Sequence, residues 1–191
     1  MIRGAFMKDA RNWCRTAYGA EAYQSALAKI GETDRTIIDG LILPGSWYPI
    51  AMWDRFLDAM RAEAAARRGD SEFAFDLRNM REAGGSIVVK TVYKMLLSLV
   101  GATTAIDRTV QIFNRAFSEG RAEIVENVRG RAIVGYRDAS PAFLNNLSHH
   151  LPTALVWVLE MNGARDVSVR ISRNDVIDGK LVFQVIATYG S

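Results

Sequence analysis

The feature that most constrains this chain is the alternation of apolar and polar residues in its last third. Over residues 131–137, Ala132, Val134 and Tyr136 share one side, because successive side chains of a strand point to opposite faces. Val167, Val169 and Ile171 repeat the pattern around Ser168 and Arg170. Leu181, Phe183, Val185 and Ala187 make a third row, backed by Val182, Gln184, Ile186 and Thr188. Residues 123–128 alternate more weakly and supply the fourth strand. The expected arrangement is two antiparallel hairpins separated by a helix over residues 141–161. A four-stranded sheet with one helix on it leaves apolar surface that the preceding 120 residues must cover. The fold class expected is therefore α+β: an N-terminal helical layer packed on a C-terminal four-stranded antiparallel sheet with one long or kinked helix. The whole is read as a single domain, 1–191, with a helical region over residues 1–120 and a sheet–helix region over residues 121–191.

Local signals place the helices. Along residues 7–30, apolar side chains recur at helical spacing on either side of Gly19, where one helix ends and the next begins. Asp34 is expected to cap a short turn. Residues 40–49 form an apolar connector, and Pro49 suits a first helical turn because its missing N–H is not needed there. The next helix carries Trp53, Phe56, Leu57 and Met60. Asp54 and Asp58 read as its solvated side. Asp70 or Ser71 caps a fourth helix, and Ser86 begins a strongly apolar fifth that contains Met95 and ends at Gly101. Thr103 or Thr104 opens a sixth, with Phe113 and Phe117. Ser140-Pro141 is a helix start. Pro152 is expected to bend or divide the helix that follows. The last hairpin is read with a polar connection over residues 172–180 and a tight turn at Asp178-Gly179.

The chemistry is sparse. The 24 basic and 21 acidic residues are nearly balanced, with 19 Arg and five Lys; of the small clusters Arg67-Arg68, Arg78-Arg81 and Arg129-Arg131-Arg137, each offset by nearby acids, a hairpin could gather only the third. Nucleic-acid binding, which needs a focused basic face, is disfavoured. Cys14, the lone cysteine, reads as a buried apolar side chain. His149 and His150 are adjacent, so on a helix they diverge by about 100°; a solvent-facing or locally bonded role is expected, and no metal site. No phosphate-binding loop or nucleophile elbow is found, so no catalytic residue, metal or cofactor is assigned and the chain is read as a non-enzyme. No apolar run approaches the roughly 20 residues that span a bilayer, so direct membrane insertion is not expected and the location is read as cytoplasmic. What stands out is the supply of large apolar side chains: eight Phe, six Tyr, four Trp and seven Met. Trp53, Phe56, Met95, Phe113 and Trp157 are the candidate walls of an apolar pocket, and Trp47 with Tyr48 a candidate interface.

Arg3-Gly4-Ala5-Phe6, the run to Tyr18-Gly19-Ala20-Glu21, and Leu43-Pro44-Gly45-Ser46-Trp47-Tyr48-Pro49 resemble a paralogous family of uncharacterised proteins abundant in myxobacteria. In order of elements, the chain is more distantly similar to the haem nitric-oxide/oxygen-binding domains and the related vinyl-reductase-like sensors. That resemblance implies a helical subdomain on an antiparallel sheet with a pocket between them. It does not bring haem, because the proximal histidine would fall within residues 70–120, which contain none, and Tyr136-Arg137-Asp138-Ala139-Ser140 does not match the Tyr-x-Ser-x-Arg propionate clamp. The expected function is sensing of a small apolar molecule or a regulatory role. The alternative is a protein–protein interaction or homodimerisation module without a ligand.

Overall fold

The computed structural model describes residues 1–83 and 101–190. The expected helix after Ser86, with Met95, lies outside the described residues. The chain divides into two compact units, Met1–Ser86 and Ile87–Ser191.

In the first unit a two-residue strand, β1 (Ile2–Arg3), pairs antiparallel with β2 (Trp47–Tyr48). Helix α1 (Gly4–Ala28) begins directly after β1, three residues earlier than its apolar stripe predicts. Gly4 permits this: a Cβ there would collide with the carbonyl oxygen of Leu43 and the ring of Tyr48. At Gly19 the backbone leaves helical geometry (φ 84°, ψ 164°), which glycine adopts at little steric cost. The expected break is therefore present. Helix α2 (Glu32–Asp39) is a full helix rather than a turn, and Arg11 of α1 donates to the carbonyls of Ile38 and Gly40 at its C-terminal end, where the orphan acceptors of a helix lie. Pro49 precedes α3 (Ile50–Arg68), which closes on Gly69 in the left-handed conformation. Ser71 caps α4 (Glu72–Glu82) by accepting from the Ala74 N–H.

The second unit holds α5 (Gly101–Ala116), β3 (Arg121–Val128), β4 (Arg131–Ala139), a short 3-10 turn (Pro141–Phe143), α6 (Leu144–Met161), β5 (Arg165–Ile177) and β6 (Lys180–Gly190). Helix α5 starts at Gly101, ahead of the expected threonine cap. The strands form one antiparallel sheet in the order β3-β4-β6-β5. Both hairpins are present, and the class is α+β with a helical N-terminal region. Ser140 accepts from the Ala142 N–H and Pro141 occupies the first turn, as expected. Helix α6 runs unbroken through the buried Pro152 instead of dividing there. The polar connection expected over residues 172–180 is strand almost to its end. Only Asp178 (φ 50°) and Gly179 (φ 72°) turn it, the two left-handed positions that a two-residue hairpin loop requires.

One sheet face packs on α5 and α6. Ala122, Ala132, Val134, Tyr136, Leu181, Phe183, Val185 and Ala187 are all buried there. The rows read from the sequence are thus the core rows of this unit.

Candidate functional site

In the first unit Trp53 and Phe56 project from α3 into the core, both essentially inaccessible, with ring centroids 5.2 Å apart. Tyr23 of α1 meets Phe56 edge-on at 5.9 Å and donates to Asp39. Burial and the neighbouring Asp39 hold its phenol well above the ordinary tyrosine range. A second aromatic group joins Trp13, Tyr18 and Phe75. Its polar edges are satisfied: the Trp13 indole N–H donates to Glu82, and the Tyr18 hydroxyl donates to Asp70, which Arg78 also holds.

Charged groups are drawn into this core as well. Arg61 on α3 is buried and donates from Nε and Nη2 to the two oxygens of Asp76 on α4, both at 3.0 Å, the bidentate geometry that a guanidinium fork favours. Asp58 completes the group from the surface. Asp58 is exposed, as expected, but Asp54 is buried rather than solvated: α3 is enclosed on more sides than its apolar stripe indicates. Cys14 is fully buried, and burial, reinforced by Asp76, pushes its thiol far above the usual range. It is inert packing, as expected, since the thiolate is the reactive and ligating form.

Trp47 and Tyr48 are half-buried in β2. The Arg3 guanidinium lies 4.6 Å above the Trp47 ring, and the Tyr48 hydroxyl accepts from the Leu43 N–H at 2.9 Å. Around Ile42, which is buried, Leu41 and Leu43 turn outward, 82% and 51% exposed.

In the second unit Phe113 stacks obliquely with Phe117, which in turn touches Tyr136 and Phe143. Trp157, half-buried, packs with Met161 against Ala105 and Val158. Trp53 with Phe56, Phe113 with Phe117, and Trp157 with Met161 are thus three packing groups, and Met95 lies outside the described residues. Tyr136 donates to the carbonyl of Glu119 at 2.7 Å, and burial holds its phenol above its ordinary value.

A polar row on α6 is absent from the sequence reading. Asn146, His150 and Thr153 follow at i, i+4 and i+7 and are all buried, with Thr153 donating to the carbonyls of His149 and His150. His150 is thus an interior side chain, not a solvent-facing one, while His149 is half-buried. The signal was available as polar residues at helical spacing within an otherwise apolar helix. Among the described residues no three His, Cys, Asp or Glu side chains are placed to hold a metal ion. Among them too, no helix is long and apolar enough to cross a membrane.

No protein-family description matches the chain, and no curated protein does either. Solved structures do. A Cs H-NOX mutant carrying 4-cyano-L-phenylalanine matches with a TM-score of 0.68 at 11% identity, over 100% of this chain and 97% of that one. The chain has the H-NOX fold. An oxygen-binding H-NOX domain related to soluble guanylate cyclases matches with a TM-score of 0.64 at 10% identity, over 100% and 96% of the two chains. The Fe(II) unliganded H-NOX protein from K. algicida gives 0.64 at 11%, over 100% and 97%. Haem is named in the description of one of the matching solved structures, which invites a test of the donor set here. Both histidines of the chain stand side by side on α6, where they diverge, and Cys14 is held as a thiol. Residues 70–120 offer no imidazole. These donors do not fit a haem held by a histidine of the helical middle.

Proposed function

We propose that this chain is a non-enzymatic sensing domain for a small apolar molecule, built on the H-NOX fold without its haem. One observation carries the reading: the whole chain aligns with H-NOX domains, one of them oxygen-binding, while the helical middle lacks an imidazole and the interior is rich in aromatic rings. Phe113 and Trp157 of the second unit are the side chains proposed to face the ligand. Aromatic and Met walls suit an apolar guest because they offer dispersion contacts and can shift to admit it. The single-domain reading of residues 1–191 and a cytoplasmic location belong to the same proposal.

The test is titration of the purified full chain with N-phenyl-1-naphthylamine, a dye that fluoresces on entering an apolar site. The expected result is saturable binding at one equivalent that weakens in Trp157→Ala and in Phe113→Leu. Unsaturable binding, or saturation unchanged in both variants, would sink the proposal.

A second reading, an interaction or homodimerisation module around Trp47 and Tyr48, has its own support in the outward-facing Leu41 and Leu43 beside Tyr48. Exposed apolar clusters of this kind mark association sites. Sedimentation over a concentration series distinguishes the two readings, because a dimer lost in Leu41→Ser with dye binding intact supports the second.

A further inference from the structure

The sheet of the second unit has a second face, turned away from α5 and α6, and its composition is specific. Registering the four strands gives its rows. Glu126, Ile133, Ile186 and Arg170 lie side by side, followed by Glu123, Gly135, Gln184 and Arg173, and then Arg121, Arg137, Val182 and Asp175. At the β3 bulge Val125 leans inward, its Cγ2 standing 3.3 Å from where a Cβ on Gly135 would be, and it remains 50% exposed. The centre is therefore a half-exposed apolar strip of Val125, Ile133, Val182 and Ile186. Its rim holds five arginines against four carboxylates, Asp138 at the β4 bulge being the fourth, beside Arg137. Arg137 is tied to Glu123, Arg131 to Glu126 and Arg173 to Asp175, which leaves the excess charge at Arg121 and Arg170 on opposite margins.

We infer that this outer sheet face docks an acidic amphipathic helix of a partner protein, its apolar stripe along Val125, Ile133, Ile186 and Val182 and its carboxylates on the arginine rim. The composition selects this occupant. A single-stranded nucleic acid needs aromatic platforms for its bases, and these rows contain no aromatic side chain, while their carboxylates would repel a polyanion. A second copy would bring a surplus of positive charge against the same surplus. Addition of a strand at the margin is opposed by a bulge in each edge strand, at Ile124/Glu126 in β3 and at Arg165/Ser168 and Ile171/Arg173 in β5, since bulges and charges are what sheets use to block edge pairing. A helix laid on the face needs no edge, and arginine gives directional pairing to its carboxylates.

The inference stands on the sheet alone and does not rest on the sensing proposal. Its probe is a fluorescent helical peptide of about five turns, leucine on one face and glutamate on the flanks. A scrambled peptide of equal composition and an oligo-dT of similar length serve as competitors, and the experiment uses the full chain with and without the naphthylamine dye. Saturable binding to the ordered peptide is expected, reduced about tenfold or more in Arg121→Glu/Arg170→Glu, as charge reversal at an interface rim does. A similar loss is expected in Ile186→Ser, with Leu41→Ser unaffected. The charge-reversed pair is exposed, so it reports binding even if Ile186→Ser unfolds. Equal affinity for the scrambled peptide, displacement by oligo-dT, wild-type affinity in the charge-reversed variant, or no saturation each overturns the inference. Loss of dye binding with peptide binding intact overturns only the sensing proposal.

Discussion

Arg61 lies in the first unit paired with Asp58 on its own helix and with Asp76 on α4, and Asp76 is wholly inaccessible. Withdrawing the guanidinium strands a buried charge, which costs far more than the pair contributes over apolar substitutes. Arg61→Met is therefore expected to lower the unfolding free energy by about 3–5 kcal/mol, and Arg61→Met/Asp76→Leu to recover much of that loss; urea unfolding of both measures it. Glu63 is a different case. Lys29, Ser25 and Arg67 donate to its carboxylate, and these bonds, Lys29 first, bring its pKa down to about 2, against roughly 4.3 in an unfolded chain. A depressed carboxylate stabilises the fold fully above the unfolded value, and that contribution disappears as pH falls from about 4.3 towards 2. Glu63→Gln is thus expected to have a lower urea midpoint than the parent at pH 7, with the two converging near pH 2. Parallel midpoints across that window would show that the carboxylate is not the stabilising group.

Elements were legible in proportion to how local their causes are. Gly19, Ser71, Ser140-Pro141 and Asp178-Gly179 act through backbone angles and caps within a few residues, and all four do what their types predict. The buried sheet rows were legible because a covered face imposes strict alternation. The far half of β5 is exposed on both sides. It has no face to keep apolar, so residues 172–177 read as a polar loop while the chain forms strand through pairing with β6. The α6 polar row, the Arg61–Asp76 pair and the two-residue pairing of β1 with β2 depend on residues that meet only in the fold. Asn114 of α5 is another such device. Its side-chain amide donates to the Ala122 carbonyl at 3.0 Å and its oxygen accepts the Ala122 N–H at 2.7 Å, so it acts as a strand partner on the outer edge of β3. Asn114→Ala removes two bonds and exposes that backbone pair; a loss of about 1–3 kcal/mol is expected. Hydrogen exchange at the Ala122 amide should accelerate selectively, and an unchanged rate would mean the edge is held by other means.

At the scale of the molecule the tension is between a fold whose solved examples include an oxygen-binding domain and a chain whose two histidines both lie on α6. Haem iron takes an axial histidine, thiolate, methionine or tyrosinate, and the choice sets its chemistry. Here the thiol is kept protonated by burial, and the buried tyrosines Tyr23 and Tyr136 are pushed away from the phenolate by the same cause. Only His150 places an imidazole in an interior, on α6 beside Asn146 and Thr153. Titrating the full chain with hemin is therefore expected to give the broad absorbance of non-specific association, without a sharp Soret band that saturates at one equivalent, and the spectrum should be the same in His150→Ala. A sharp stoichiometric band that vanishes in His150→Ala would assign the axial bond to α6 and make this chain a haem protein with its iron ligated from the sheet-bearing unit. A band that persists in that variant would instead move the ligand to another donor, and the proposal of an apolar guest in place of haem would fall with it.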